Sequence, residues 1–188
     1  MRILATIGAL AIIVGVGAAA FFFGGFYNVG GTAEDPAIVH WALVQVRTAS
    51  INRHAQDQPP ASLNEPAKIQ AGARAYADLG CVNCHGAPGV NWAKYSEGLH
   101  PDPPDLKELV DNRTPSELFW VIKNGINMTG MPSFALAGAK DEDIWSVVAY
   151  LKKLPKVSEA DYKAWTAPPL TPLGIQPAPD ASATPAAK

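Results

Sequence analysis

The sequence predicts an all-α fold: a helical domain of roughly 90–100 residues in the middle of the chain, an apolar helix ahead of it and a disordered tail behind. Three observations carry this reading. Helix start and stop signals recur through the middle, no segment reads as a strand, and both ends differ in composition from what lies between them. The divisions fall at 1–26 for a transmembrane anchor, 27–63 for a helical stalk and linker, 64–157 for the folded domain, and 158–188 for a short helix and Pro/Ala-rich tail.

From Ile3 to Phe23 every residue is apolar or Gly, Ala or Thr, and no charge falls between Arg2 and Glu34. At ~1.5 Å per residue this run reaches about 30 Å, one bilayer core. Ala18-Ala19-Ala20 could mark a cleaved leader, but Phe21-Phe22-Phe23 carries the apolar run past that cut, so an uncleaved anchor is preferred. Arg2 is the lone basic flank, which puts the N-terminus inside and the bulk of the chain outside. Ala11, Gly15 and Ala19 recur on one helix face, where another membrane helix could approach closely.

Pro36 to about His54 predicts a helix with Val39, Leu43 and Val46 as its apolar stripe, packed on the domain or lying at the membrane surface, and with His40 and His54 exposed. Gln56 to Ala61, containing Pro59-Pro60, is a linker. The first helix of the domain is expected from Glu65 or Pro66 to Leu79, capped by Asn64 and stopped by Gly80. Thr114-Pro115-Ser116-Glu117 fits a capping box with proline at the first helical position, and Gly125 ends that helix. A third starts near Asp141 and carries Ile144, Val147, Val148 and Leu151 on its apolar side until Pro155, with a short last helix over Ser158 to Trp165. From Thr166 the chain is rich in Pro, Ala and Thr and is expected to be disordered.

Formal charge is −2 with acids and bases interspersed, so nothing marks a nucleic-acid binder. The only cysteines, Cys81 and Cys84, are too close to staple a fold. They belong to Cys81-Val82-Asn83-Cys84-His85, the attachment pattern of a c-type haem. Two thiols three residues apart can each bond one vinyl-derived carbon of a porphyrin, and the histidine that follows then faces the iron. A thioredoxin-like pair expects a βαβ neighbourhood, which this helical region lacks. Zinc needs four ligands and would have to recruit something like His100.

A low-spin haem needs a second axial ligand, and thioether sulfur raises its potential relative to a second imidazole. Met128 and Met131 are the only methionines beyond Met1. Gly130 permits close approach to the ring and Pro132 stiffens the loop, which favours Met131, with Met128 and His100 as alternatives.

On these motifs the stretch from about Asn64 to Pro155 resembles the small single-haem cytochromes c. That family runs helix, Cys-x-x-Cys-His, a Pro-x-Leu turn, a middle helix, a Met-Pro-like loop, then a helix ending like Ala149-Tyr150-Leu151-Lys152-Lys153. The resemblance implies one haem c bound through Cys81 and Cys84, its iron held by His85 and Met131. It also implies that the carbonyl of Pro104 accepts the proximal imidazole N–H and that Leu106 lies against the ring, Pro103 being one position away. The first and last helices of the family cross closely, which Gly72 and Tyr76 against Val147 and Tyr150 would reproduce. Trp92, Trp120 and Trp145 are then haem-packing or core aromatics.

The segment ahead of the domain is similar to the anchor and spacer of membrane-bound members. The implied setting is a bacterial inner membrane, crossed once, with the N-terminus inside and the haem domain in the periplasm. With both axial positions filled no site is open to substrate, so the expected role is electron transfer and not catalysis. Expected partners are redox proteins (a quinol-oxidising complex, a terminal oxidase or a periplasmic dehydrogenase), membrane lipid, and a transmembrane helix against the small-residue face. A haem-based gas or redox sensor is the alternative. The balanced charge of the domain gives no sign for a partner.

Overall fold

The structure is a computed structural model that describes residues 2–167; the tail expected to continue to 188 lies outside the described residues. The chain divides into two units, residues 1–35 and the remainder. In the first, α1 (Arg2–Phe23) is a single helix long and apolar enough to cross a membrane, with no buried residue. A short turn follows it, in which the Tyr27 hydroxyl donates to the Asp35 carboxylate.

The second unit is helical, with one isolated bridge between Ala87 and Val90 and no strand among the described residues. Its first helix, α2 (Ala37–His54), is held at its C-terminal end. Ile51 is buried there, the His54 ring stacks on Trp120 at 6.0 Å, and Ser116 donates to the carbonyl of Asp57 at 2.6 Å. The expected stripe does not make this contact: Leu43 and Val46 are 57% and 67% exposed, and only Val39 is half-buried. Periodicity identified the helix but not the turn that packs.

The linker ends in a 3-10 turn, Ala61–Asn64, that buries Leu63. Asn64 is therefore part of that turn and not the expected cap. The domain's first helix, α3 (Pro66–Asp78), starts after Glu65 with no side-chain cap, and Pro66 at its first position has no N–H to satisfy. At the other end Gly80, with φ +77, lets the chain reverse: Cys81 N–H bonds the carbonyl of Tyr76 at 3.1 Å and Gly80 N–H that of Ala77 at 3.0 Å. This Schellman turn delivers the chain directly into the cysteine motif.

Further helices build the core around α3. The capping box expected at Thr114 forms at the start of α6 (Pro115–Asn124), preceded by α4 (Val82–His85) and α5 (Leu106–Leu109). The helix α7 (Asp141–Leu151) crosses α3 so closely that a Cβ on Gly72 would lie 1.8 Å from the carbonyl oxygen of Ser146. Around the crossing Val147 is buried and the Tyr76 and Tyr150 rings lie 5.3 Å apart. Trp145 stacks on Phe119 of α6 at 4.1 Å.

The helix stops at Leu151 and does not run to Pro155; a turn and a 3-10 segment, Leu154–Lys156, follow it. Pro155 has no N–H to bond the carbonyl of Leu151 four residues back, so the α-helical pattern cannot be carried through it. Lys152, just past the end, donates to the carbonyls of Val110 and Arg113 at 2.7 and 3.0 Å. Finally α8 (Glu159–Trp165), started by a Ser158/Asp161 capping box, is tied to α3 where Arg74 donates to the carbonyl of Trp165 at 2.6 Å.

Candidate cofactor site

The cysteine motif is itself one helical turn. Asn83 N–H bonds the carbonyl of Gly80, and both Cys84 and His85 N–H bond that of Cys81, at 3.0 to 3.2 Å. Tyr76 secures the far end of the turn, its hydroxyl donating to the carbonyl of Gly86 at 2.7 Å from inside the core. A two-residue reversal, with Ala87 and Val90 exchanging backbone bonds at 2.9 Å, then leads the chain away.

The two thiols sit in different surroundings. Cys81 is buried in the core, and that burial pushes its thiol up to about 12. Cys84 is half-buried, and neither sulfur is in a disulfide. A redox-active Cys-x-x-Cys pair needs a thiol of lowered pKa, and Cys81 is shifted the other way.

His85 Nδ1 lies 3.1 Å from the carbonyl oxygen of Pro104. Donation to that carbonyl assigns the proton to Nδ1 and leaves Nε2 with a free lone pair, the form in which imidazole binds a metal. Burial also lowers the pKa of His85, against an opposing contribution from the bond to Pro104, and so favours the neutral ring. Asp105 caps α5 by accepting from Lys107 N–H at 2.7 Å, which fixes the turn from Pro104 into buried Leu106. Cys84, His85, Pro104 and Leu106 line a shared cavity of about 470 Å³, a volume in the range of small-molecule sites. Pro103 lines it as well, but the imidazole bond goes to Pro104.

The two methionines separate clearly. Met128 is 92% exposed, with φ 58, whereas Met131 is half-buried against the core. The loop folds back on the end of α6: Ile126 N–H bonds the carbonyl of Met131 at 3.1 Å, Ser133 donates to that of Lys123 at 2.7 Å, and Phe134 N–H bonds that of Ile122 at 3.2 Å. A Cβ on Gly125 would lie 2.7 Å from the Met131 carbonyl oxygen, so glycine is needed for the loop to return here. Met131 and Cys81 are not among the residues lining the cavity beside His85. His100 is exposed, and among the described residues no group of three or more His, Cys, Asp or Glu side chains gathers as a metal cluster.

Of the three tryptophans, Trp145 is in the core and Trp120 is half-buried beneath His54. Trp92 is 55% exposed at the cavity wall, its indole N–H donating to Glu97 at 3.4 Å, so of its two expected roles it is not a core aromatic, while its place beside Cys84 and His85 leaves packing at the haem. Glu97 also accepts from Lys94 at 2.6 Å, and that bond holds its carboxyl below the usual range. Beyond Trp92 itself, nothing in the sequence marked the 92–97 wall, where Ser96 and Glu97 join it.

Residues 67–151 match the family described as cytochrome C oxidase, cbb3-type, subunit III. No curated protein and no solved structure matches the chain.

Proposed function

We propose, from the premise that residues 67–151 form a c-type cytochrome domain and that such a domain carries covalently bound haem c for electron transfer, that this chain is a membrane-anchored carrier or relay with one haem. When bound, the haem supplies a one-electron Fe(II)/Fe(III) couple. Cys81 and Cys84 would hold it through thioether bonds. His85, its ring orientation fixed by Pro104 and its Nε2 lone pair free, would bind the iron, and Met131 would supply a second, thioether ligand. Leu106, at the cavity wall, would supply apolar contact to the ring, and Tyr76 ties down the attachment turn through its bond to Gly86.

The observation that carries this reading is the His85–Pro104 bond beside the cavity that Cys84 shares. A single attachment motif in the chain supports a count of one. The apolar α1 with Arg2 as its first residue supports a single span of a bacterial inner membrane, with the haem domain in the periplasm. The description of the matched family, an oxidase subunit, favours a terminal oxidase among the redox partners considered.

The test is expression of the full chain with a c-type maturation system, followed by acid-organic extraction. Porphyrin should stay with the polypeptide, Cys81→Ala and Cys84→Ala should each lose one attachment, and a wild-type chain stripped of its haem by extraction would end the proposal.

A further inference from the structure

The stalk helix α2 turns its faces the wrong way for a helix that serves only its own domain, which would point its apolar stripe inward and its polar residues at water. Its contact with the domain is made in the last turn, by Ile51 and His54. At about 100° per residue, Ile38, Ala42, Val46 and Ala49 fall within about 80° of one another and about 140° or more from Ile51, while Arg47 shares the Ile51 side. This outward stripe is bare: Ile38 is 74% exposed, Val46 and Ala49 are exposed, and Trp41 at its edge is 62% exposed. We infer that the outward stripe of α2 lies against the lipid surface of the membrane that α1 crosses, as a second and shallower contact behind the anchor. The inference rests on the anchor reading above and adds to it where the haem domain is held.

Two observations select lipid as the occupant. The first is reach. α1 ends at Phe23 and α2 begins at Ala37, so only residues 24–36, thirteen in all, join them, and they span at most about 45 Å when fully extended. The start of α2 is thereby kept near the bilayer, which raises the effective concentration of lipid at its outward face. Phe26 and Val29 in the joining segment are exposed as well and continue the apolar character.

The second is composition. Residues 36–46 contain no Asp, Glu, Lys or Arg, and the first charged side chain on the outward side is Arg53. A tryptophan among aliphatic residues suits the boundary between headgroups and acyl chains, where one end of the ring is wet and the rest is not. The uncharged run is ~15 Å long as helix, half of what a bilayer core requires, so it lies at the surface and does not cross. Because Ile51 and the stacking of His54 on Trp120 fix the other side of α2 to the domain, a stripe held at the lipid holds the haem domain there too.

The experiment uses the full haem-loaded chain in phosphatidylcholine vesicles. With Cys81 and Cys84 taken up by the haem the chain has no other thiol, so one introduced cysteine carries a nitroxide label. The labels go in through Ile38→Cys and Val46→Cys in the stripe, Ile12→Cys in α1 and Glu142→Cys on the exposed surface of the domain. Paramagnetic resonance reads collisions with oxygen, which concentrates in lipid, and with a nickel chelate, which stays in water, each against the same label under nitrogen. Labels at 38 and 46 should meet oxygen more often than the label at 142 and nickel severalfold less often, at a depth shallower than position 12. Nickel collisions at 38 and 46 equal to those at 142 would overturn the inference, while a label at 12 in lipid leaves the anchor reading intact. Low rates with both reagents mean a protein cover, whether a second copy or a partner, and overturn it equally. A label at 12 in water defeats the anchor reading and the inference together. The tie to the domain is read by energy transfer from a headgroup fluorophore to the haem, which should fall when Ile38→Ser, Trp41→Ser and Val46→Ser are combined, with the haem spectrum unchanged. Equal transfer in the variant and the wild type would show that the stripe does not hold the domain.

Discussion

Two tyrosines that face each other across the α3–α7 crossing differ in one hydrogen bond. Tyr76 donates to the carbonyl of Gly86, whereas the Tyr150 hydroxyl is buried with no partner among the described residues. Tyr76→Phe leaves the Gly86 carbonyl without its buried donor and should cost about 1–3 kcal/mol in denaturant unfolding. Tyr150→Phe removes a group that has paid for desolvation without a bond in return, so stability should stay within about 0.5 kcal/mol of wild type or rise. Equal losses in the two variants would show that the Gly86 bond contributes nothing. At the proposed ligand, Met131→Ala should open the iron so that the reduced protein binds CO rapidly, while Met128→Ala should leave the ferric and ferrous spectra unchanged. The opposite pattern would reassign the ligand to the exposed methionine.

At the level of elements, the α3–α7 contact admits no side chain at position 72. Gly72→Ala would place a methyl group 1.8 Å from the Ser146 carbonyl oxygen and 2.9 Å from the Tyr150 Cβ, so the two helices have to separate. Because the clash is with backbone, no rotamer change relieves it, and the expected loss is about 3 kcal/mol or more by chemical denaturation. A loss under about 1 kcal/mol would mean that the helices slide apart at little cost. The helix ends that could be drawn from sequence were those with chemical punctuation, at Thr114 and Glu117, Ser158, Gly80 and Gly125, whereas apolar periodicity marked α2 and α7 without a side-chain cap. The short turns at Ala61–Asn64, Leu106–Leu109 and Lys94–Gly98 carry no period of their own and are held by what they pack against.

For the whole second unit, burial raises the phenols of Tyr76, Tyr150 and Tyr162 above the ordinary value of 10.0, Tyr162 to about 12. The folded state then keeps protons that the unfolded chain releases. The stabilisation is fully present below pH 10 and is lost as pH rises through the folded pKa values. Denaturant midpoints should therefore hold up to about pH 10 and decline beyond it, and Tyr76→Phe should make that decline shallower by about one proton. A midpoint flat from pH 9 to 12 would contradict the burial of all three rings.

Sequence by itself determined what depends on neighbours along the chain. The attachment turn is set by five consecutive residues, the helix ends by capping atoms three positions apart, and the apolar span by composition alone. What it left open needed contacts between distant segments: Pro104 and not Pro103 as partner of His85, the inward packing of Met131 through the fold-back on Gly125, the outward position of Trp92, and Ile51 in place of the Leu43/Val46 stripe. Net charge, too, is a sum over the chain, whereas a surface has places, and only the tertiary structure could put Glu97, Asp102 and Asp105 around the opening beside Cys84. The physical reason is range: backbone geometry and capping act over a few residues, while burial and electrostatic focusing exist only once residues far apart in sequence have been brought together.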